Sequence, residues 1–119
     1  MRIIQKTMIL EKEKYYEMHL KIINSLIPAP LSNMEIKVLA GFMSLSGDLV
    51  EVNRFNGAAR KLVASQQSPP ISSAGMSNYI KSLEQKGAIY YNIDNVLEIA
   101  KILLCENEEQ FYQFKIKKK

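Results

Sequence analysis

The chain has 119 residues, 47% of them hydrophobic and 24% charged, with a formal net charge of +4. That length suits one domain with a modest core rather than two, and no run approaches the ~18 apolar residues that cross a bilayer, so no membrane partner is expected. Cys105 is the one cysteine, which excludes an internal disulfide and a multi-thiolate zinc site, and EKEK follows MRIIQKTMIL where a leader would carry small residues, so a reducing, cytoplasmic setting is expected.

Met1 to Leu10 mixes aliphatic residues with Arg2, Gln5 and Lys6, as an edge strand would. From Glu11 the period becomes helical. Tyr15, Met18, Ile22 and Leu26 recur on one face, Glu17 and Lys21 form a favourable i,i+4 pair, and Pro28 and Pro30 end the helix. His19 lies on this helix with no second metal-ligating or catalytic group in view, and reads as an ordinary boundary residue.

In LSNMEIKVLAGFMSLSG, Ser32 and Glu35 make an S-x-x-E capping box, so a second helix starts there. Val38, Leu39, Phe42, Met43 and Leu45 define its buried stripe, and Gly47 with Asp48 closes it. Leu49 to Phe55 reads as a short extended link. Asn56 caps a third helix, GAARKLVASQQ, with Ala58, Ala59, Leu62 and Val63 facing inward and Arg60 and Lys61 outward. QQSPPISS breaks it with a stiff, proline-bearing connection.

The fourth helix, capped by Ser72 or Ser73, buries Met76, Tyr79, Ile80 and Leu83 and stops at Gly87, where a left-handed cap wants glycine. Ser77, Asn78, Lys81 and Gln85 are left on its outer face. AIYYNIDNVLEIA then reads as a hairpin about Asp94-Asn95, with a short helix over VLEIAKILL as the alternative. Glu106, Glu108 and Glu109 suit a solvated turn, and FYQFKIKKK, alternating Tyr112, Phe114 and Ile116, suits a final strand paired with the first.

Charge is unevenly spread. Residues 54–86 carry Arg54, Arg60, Lys61, Lys81 and Lys86 against Glu84 alone, and the last nine residues carry four lysines and no acid. Two basic clusters therefore sit on an acidic remainder, the distribution a polyanion responds to.

MEIKVLAGFM, NGAARKLVAS and MSNYIKSLEQKGAI follow one another as three core helices do in winged helix-turn-helix domains, and the run S-x-x-I-x-x-L-E-x-x-G-x-I leads into a hairpin as theirs does. Residues 31–99, more than half the chain, thus resemble such a domain of the MarR-like or replication-initiator-like type. The resemblance implies an α+β, mainly helical fold with a small antiparallel sheet, here flanked by extra terminal strands. It also implies double-stranded DNA as partner, with the third of those helices in the major groove and Ser73, Ser77, Asn78 and Lys81 facing the bases. Gln85 lies on the same outer face, and Arg54, Arg60 and Lys61 would flank it on phosphates. Asn78 can pair with adenine, Lys81 can reach guanine or phosphate, and the serines serve either. The chain departs from the pattern in three ways: QQSPPISS is longer than a tight turn, the wing tip NIDN carries Asp94 and no cation, and the reading helix has no arginine.

Catalysis is not expected, because no nucleophile has a base partner and no glycine-rich phosphate cradle is present; neither a cofactor nor a metal is expected. The rival reading is a non-enzymatic assembly subunit of a larger complex, a viral one included, whose terminal strands join a partner's sheet edge. A homodimer through the first helix, with Tyr15, Tyr16, His19 and Ile23 around its perimeter, is the expected self-association.

Overall fold

The computed structural model describes residues 2–105 and 109–119. Among them run four α-helices, α1 (Lys12–Ile23), α2 (Asn33–Met43), α3 (Gly57–Gln66) and α4 (Ser73–Gln85), followed by two short strands, β1 (Ile89–Tyr91) and β2 (Leu97–Ile99). The fold is α+β and mainly helical, and its sheet is a two-stranded antiparallel hairpin. No helix among the described residues is long and apolar enough to cross a membrane.

Local chemistry starts the last three helices. Ser32 Oγ accepts from the Glu35 N–H at 3.2 Å while Glu35 Oε1 accepts from the Ser32 N–H at 2.8 Å, so the capping box closes in both directions. Asn56 Oδ1 accepts from the Ala59 N–H at 2.8 Å to open α3. Ser72, rather than Ser73, opens α4 through the Gly75 N–H.

The helices meet in one buried cluster. α2 is its centre, with Ile36, Val38, Leu39, Ala40 and Phe42 essentially out of water. Phe42 packs on Phe55 with ring centroids 4.6 Å apart. Gly41 lets α3 close in, because a Cβ there would stand 2.9 Å from Val63 Cγ1. α4 contributes Met76, Ile80 and Leu83, with Tyr79 half-buried at the edge. Gly87 then reverses the chain at φ 78°, and the Ala88 N–H bonds back to the Leu83 carbonyl.

The hairpin turns where expected. Ile89 pairs with Ile99, Tyr90 with Glu98 and Tyr91 with Leu97. Asn95 takes a positive φ of 60°, and Asn92 Oδ1 accepts from the N–H groups of Asp94 and Val96. After Ile99 the chain makes one 3-10 turn, Lys101–Leu103, not the alternative helix over 96–104.

Several expectations fail for identifiable reasons. α2 ends at Met43, before Leu45, because Ser44 Oγ bonds the Gly41 carbonyl and Arg54 Nη1 donates to the carbonyls of Phe42 at 2.9 Å and Leu45 at 2.6 Å. Gly47, at φ 81°, instead leads into a 3-10 turn, Asp48–Val50, where an extended link was expected. Leu26 lies on a 3-10 turn beyond α1 and is exposed. On α3 the buried stripe is Ala59, Val63 and Ala64, while Ala58 and Leu62 are exposed, one position out of phase with the core.

The largest correction concerns the ends. Residues 2–10 and 109–119 contain no strand and do not pair. An isolated alternating segment gains nothing from being extended unless a neighbour takes its backbone hydrogen bonds. Met1, Glu106 and Glu108 lie outside the described residues, and Glu109 is exposed.

Candidate nucleic-acid interface

α4 presents two chemically different faces. Its inner face is apolar and buried; its outer face carries Ser73, Ser77, Asn78, Lys81 and Gln85, all exposed, with exposed Glu84 the acid among them. The five outer residues therefore share one solvent-facing surface of a helix held rigidly from behind.

The grip on α4 comes partly from a buried carboxylate. Glu35, 3% exposed, accepts from Lys86 Nζ at 2.5 Å and from Ser82 Oγ at 2.5 Å, besides its capping bond to Ser32. Lys86 Nζ also donates to the Pro30 carbonyl at 3.1 Å. One side chain thus fastens the start of α2 to the second half of α4. Burial pushes the Glu35 carboxyl upward, but the hydrogen bonds from Lys86, Ser32 and Ser82 outweigh it and hold it down at about 2. Beside this corner lies an open cleft of about 440 Å³ lined by Ser32, Glu35, Gly75, Asn78, Tyr79 and Ser82, so Asn78 stands at its rim as well as on the outer face.

The cations of residues 54–86 divide into two sets. Arg54 spends Nη1 on the end of α2, and Arg60, half-buried, donates from Nε to the Phe55 carbonyl at 2.7 Å. Lys86 is committed to Glu35. Lys61 and Lys81 are exposed. The hairpin beyond α4 carries a cross-strand clamp, with Tyr90 Oη and Asn92 Nδ2 each donating to Glu98 at 3.0 Å, and its tip presents Asp94 with no cation.

A second polar cluster was not visible in the sequence. His19 is 3% exposed, not a boundary residue: its Nε2 lies 3.0 Å from the Leu103 carbonyl, so Nε2 carries the proton and Nδ1 accepts from Tyr112 Oη. Tyr15 Oη lies 3.1 Å from Cys105 Sγ, which in turn donates to Gln110. Burial lowers the His19 pKa and pushes Tyr112 up to about 12. This cluster anchors the C-terminal segment to α1. It also turns His19 inward, and Tyr16 and Ile23 pack against the core, so these members of the expected dimer surface are occupied within the chain. No sequence signal links residues 19 and 112, which lie far apart along the chain.

No protein family, no curated protein and no solved structure matches this chain.

Proposed function

We propose that the chain is a small sequence-reading or architectural DNA-binding protein built on a winged helix-turn-helix core, serving regulation of transcription or replication. In this reading α2, α3 and α4 are the three core helices, α4 enters the major groove, and the β1–β2 hairpin is the wing. The observation that carries it is the outer face of α4: five polar side chains in water on a helix whose opposite face is pinned by Met76, Ile80, Leu83 and the Glu35 corner. Rigid placement is what base readout needs, since hydrogen bonds to base edges discriminate only when the donor and acceptor positions are fixed. Asn78 and Lys81 read bases, Ser73, Ser77 and Gln85 support them, and Lys61 neutralises phosphate. Arg54 and Arg60 take part through whatever donor capacity their internal bonds leave.

The test is a selection of preferred duplexes from a random pool with the wild type and two variants. Asn78→Ala relaxes the preferred sequence, whereas Lys61→Ala weakens every duplex about equally and lowers the salt slope by about one. An unchanged preference in Asn78→Ala would refute α4 as the reading helix.

A second reading, a non-enzymatic assembly subunit of a larger complex, a viral one included, draws on the hairpin, where Tyr91 is exposed and Ile93 is 99% exposed. Such side chains suit a protein contact better than a phosphate backbone. Retention of partner binding but not DNA binding by the Asn78 and Lys61 variants, with loss in Ile93→Ser, would favour it.

A further inference from the structure

Two arms, residues 2–10 and 110–119, run outside the helical body without forming helix or strand. The first arm and the root of the second meet at a cavity of about 800 Å³ walled by residues 3–10 and 109–112 together with Tyr15. The His19–Tyr112 and Cys105–Gln110 bonds tether the C-terminal arm to this end of the molecule. α1, which carries the tether, packs on α2, whereas the main neighbours of α4 are α2, α3 and β1. The arms are thus organised around a different helix from the proposed reading face.

Their side chains are of two kinds only where size or charge matters. Large apolar groups stand in water: Ile3, Ile4, Met8 and Ile9 from one arm, Phe111, Phe114 and Ile116 from the other, with Ile9 and Ile116 each 95% exposed. Arg2, Lys6, Lys115, Lys117, Lys118 and Lys119 supply six positive charges, and no acid falls within either stretch, although Glu11 and Glu109 stand at the roots.

We infer that the two arms form a docking surface for an anionic lipid membrane, on which the chain lies peripherally. A bilayer surface offers negative headgroups directly above hydrocarbon, which matches lysine and arginine interleaved with aliphatic and aromatic side chains in one segment. Either signal alone gives marginal, reversible attachment; the combination is what holds a protein at the interface. The alternatives fit less well. A nucleic acid would satisfy the cations, but five of the seven exposed apolar groups are isoleucine or methionine and have no ring to stack on a base. A second copy of the chain would bring six like charges against six. The expectation of no membrane partner rested on the lack of a bilayer-crossing segment, and this proposal departs from it, because surface attachment needs no such segment. This inference does not rest on the DNA-binding reading.

The test is flotation of the full chain with vesicles of phosphatidylcholine alone and of phosphatidylcholine with about one third phosphatidylglycerol. The wild type floats with the anionic vesicles and stays behind with the neutral ones. Phe114→Ser with Ile116→Ser, and separately Lys117→Gln with Lys118→Gln and Lys119→Gln, each reduce the floated fraction about tenfold. Both variants change residues beyond the Tyr112 tether, and thermal melting by circular dichroism unchanged from wild type confirms that they fold. Arg60→Ala with Lys61→Ala and Lys81→Ala floats like wild type, so failure of the DNA reading leaves this result standing. Absence of flotation with anionic vesicles overturns the inference. So does flotation that survives loss of Phe114 and Ile116, or a finding that the arm variants lose duplex binding while still floating.

Discussion

The helical body and the terminal arms are made of similar residues used in opposite ways. In the body, isoleucines such as Ile36 and Ile89 are buried, and among the described residues no buried side-chain nitrogen or oxygen lacks a hydrogen-bond partner. In the arms, Ile9 and Ile116 are almost wholly in water. An apolar side chain stabilises a fold by what covers it, so composition alone does not say which isoleucines hold this molecule together. Stability therefore rests mainly on the body, to which the C-terminal arm is bonded through Tyr112 and Gln110.

The sharpest way to break that contrast is to truncate one member of each set. Phe42→Ala, which removes a ring packed on Phe55, is expected to cost about 3–5 kcal/mol in urea unfolding, whereas Ile116→Ala should stay within about 0.5 kcal/mol. Comparable losses at the two sites would mean that the arms belong to the core.

Next in size is the Glu35 corner. Glu35→Gln should cost about 2 kcal/mol, because it weakens charge-assisted bonds from Lys86 and Ser82 and leaves Lys86 without its carboxylate. The pH dependence follows from the depressed carboxyl. Its folded value, about 2, lies below the ordinary 4.5, so its stabilising contribution is complete above 4.5 and drains as the pH falls toward 2. Unfolding midpoints measured across that window should fall more steeply for wild type than for Glu35→Gln.

A smaller effect is expected at the joint between the regions. His19→Phe removes the bonds to Leu103 and Tyr112 and should lower global stability by about 1 kcal/mol while exposing the C-terminal arm to proteolysis. Acid should loosen the same joint in wild type. Burial lowers the His19 pKa, so the neutral ring is favoured in the folded state and its contribution is lost as the pH falls from the ordinary 6.5 through the folded value. Unchanged cleavage in His19→Phe would show that the tether does not hold the arm.

What the sequence made legible was local. The Ser32–Glu35 box, the Asn56 cap, the turn at Asp94-Asn95 and the glycine at 87 each depend on side chains and backbone a few residues apart, and each is in place. What it hid was long-range. Nothing around Glu35 announces that Ser82 and Lys86 will use the same carboxylate, and nothing around Arg54 announces that it will close α2. Three of the five cations counted as one basic cluster are bonded within the chain, which leaves Lys61 and Lys81 as its exposed members. The terminal alternation was real as a pattern, but a strand also requires backbone pairing with a neighbouring strand, and among the described residues the arms have none. For the candidate interface, the polar face of α4 was readable from helical period alone, because a three-residue apolar stripe fixes which positions remain outside.

The most direct measurement is fluorescence anisotropy of a random-sequence duplex titrated with the full chain at two salt concentrations, beside Arg60→Ala with Lys61→Ala and Lys81→Ala. Winged-helix docking through α4 predicts binding that weakens steeply with salt in the wild type and that becomes weaker and flatter in the variant. No binding at either concentration, or binding that the variant leaves unchanged and the C-terminal lysines alone control, would contradict it.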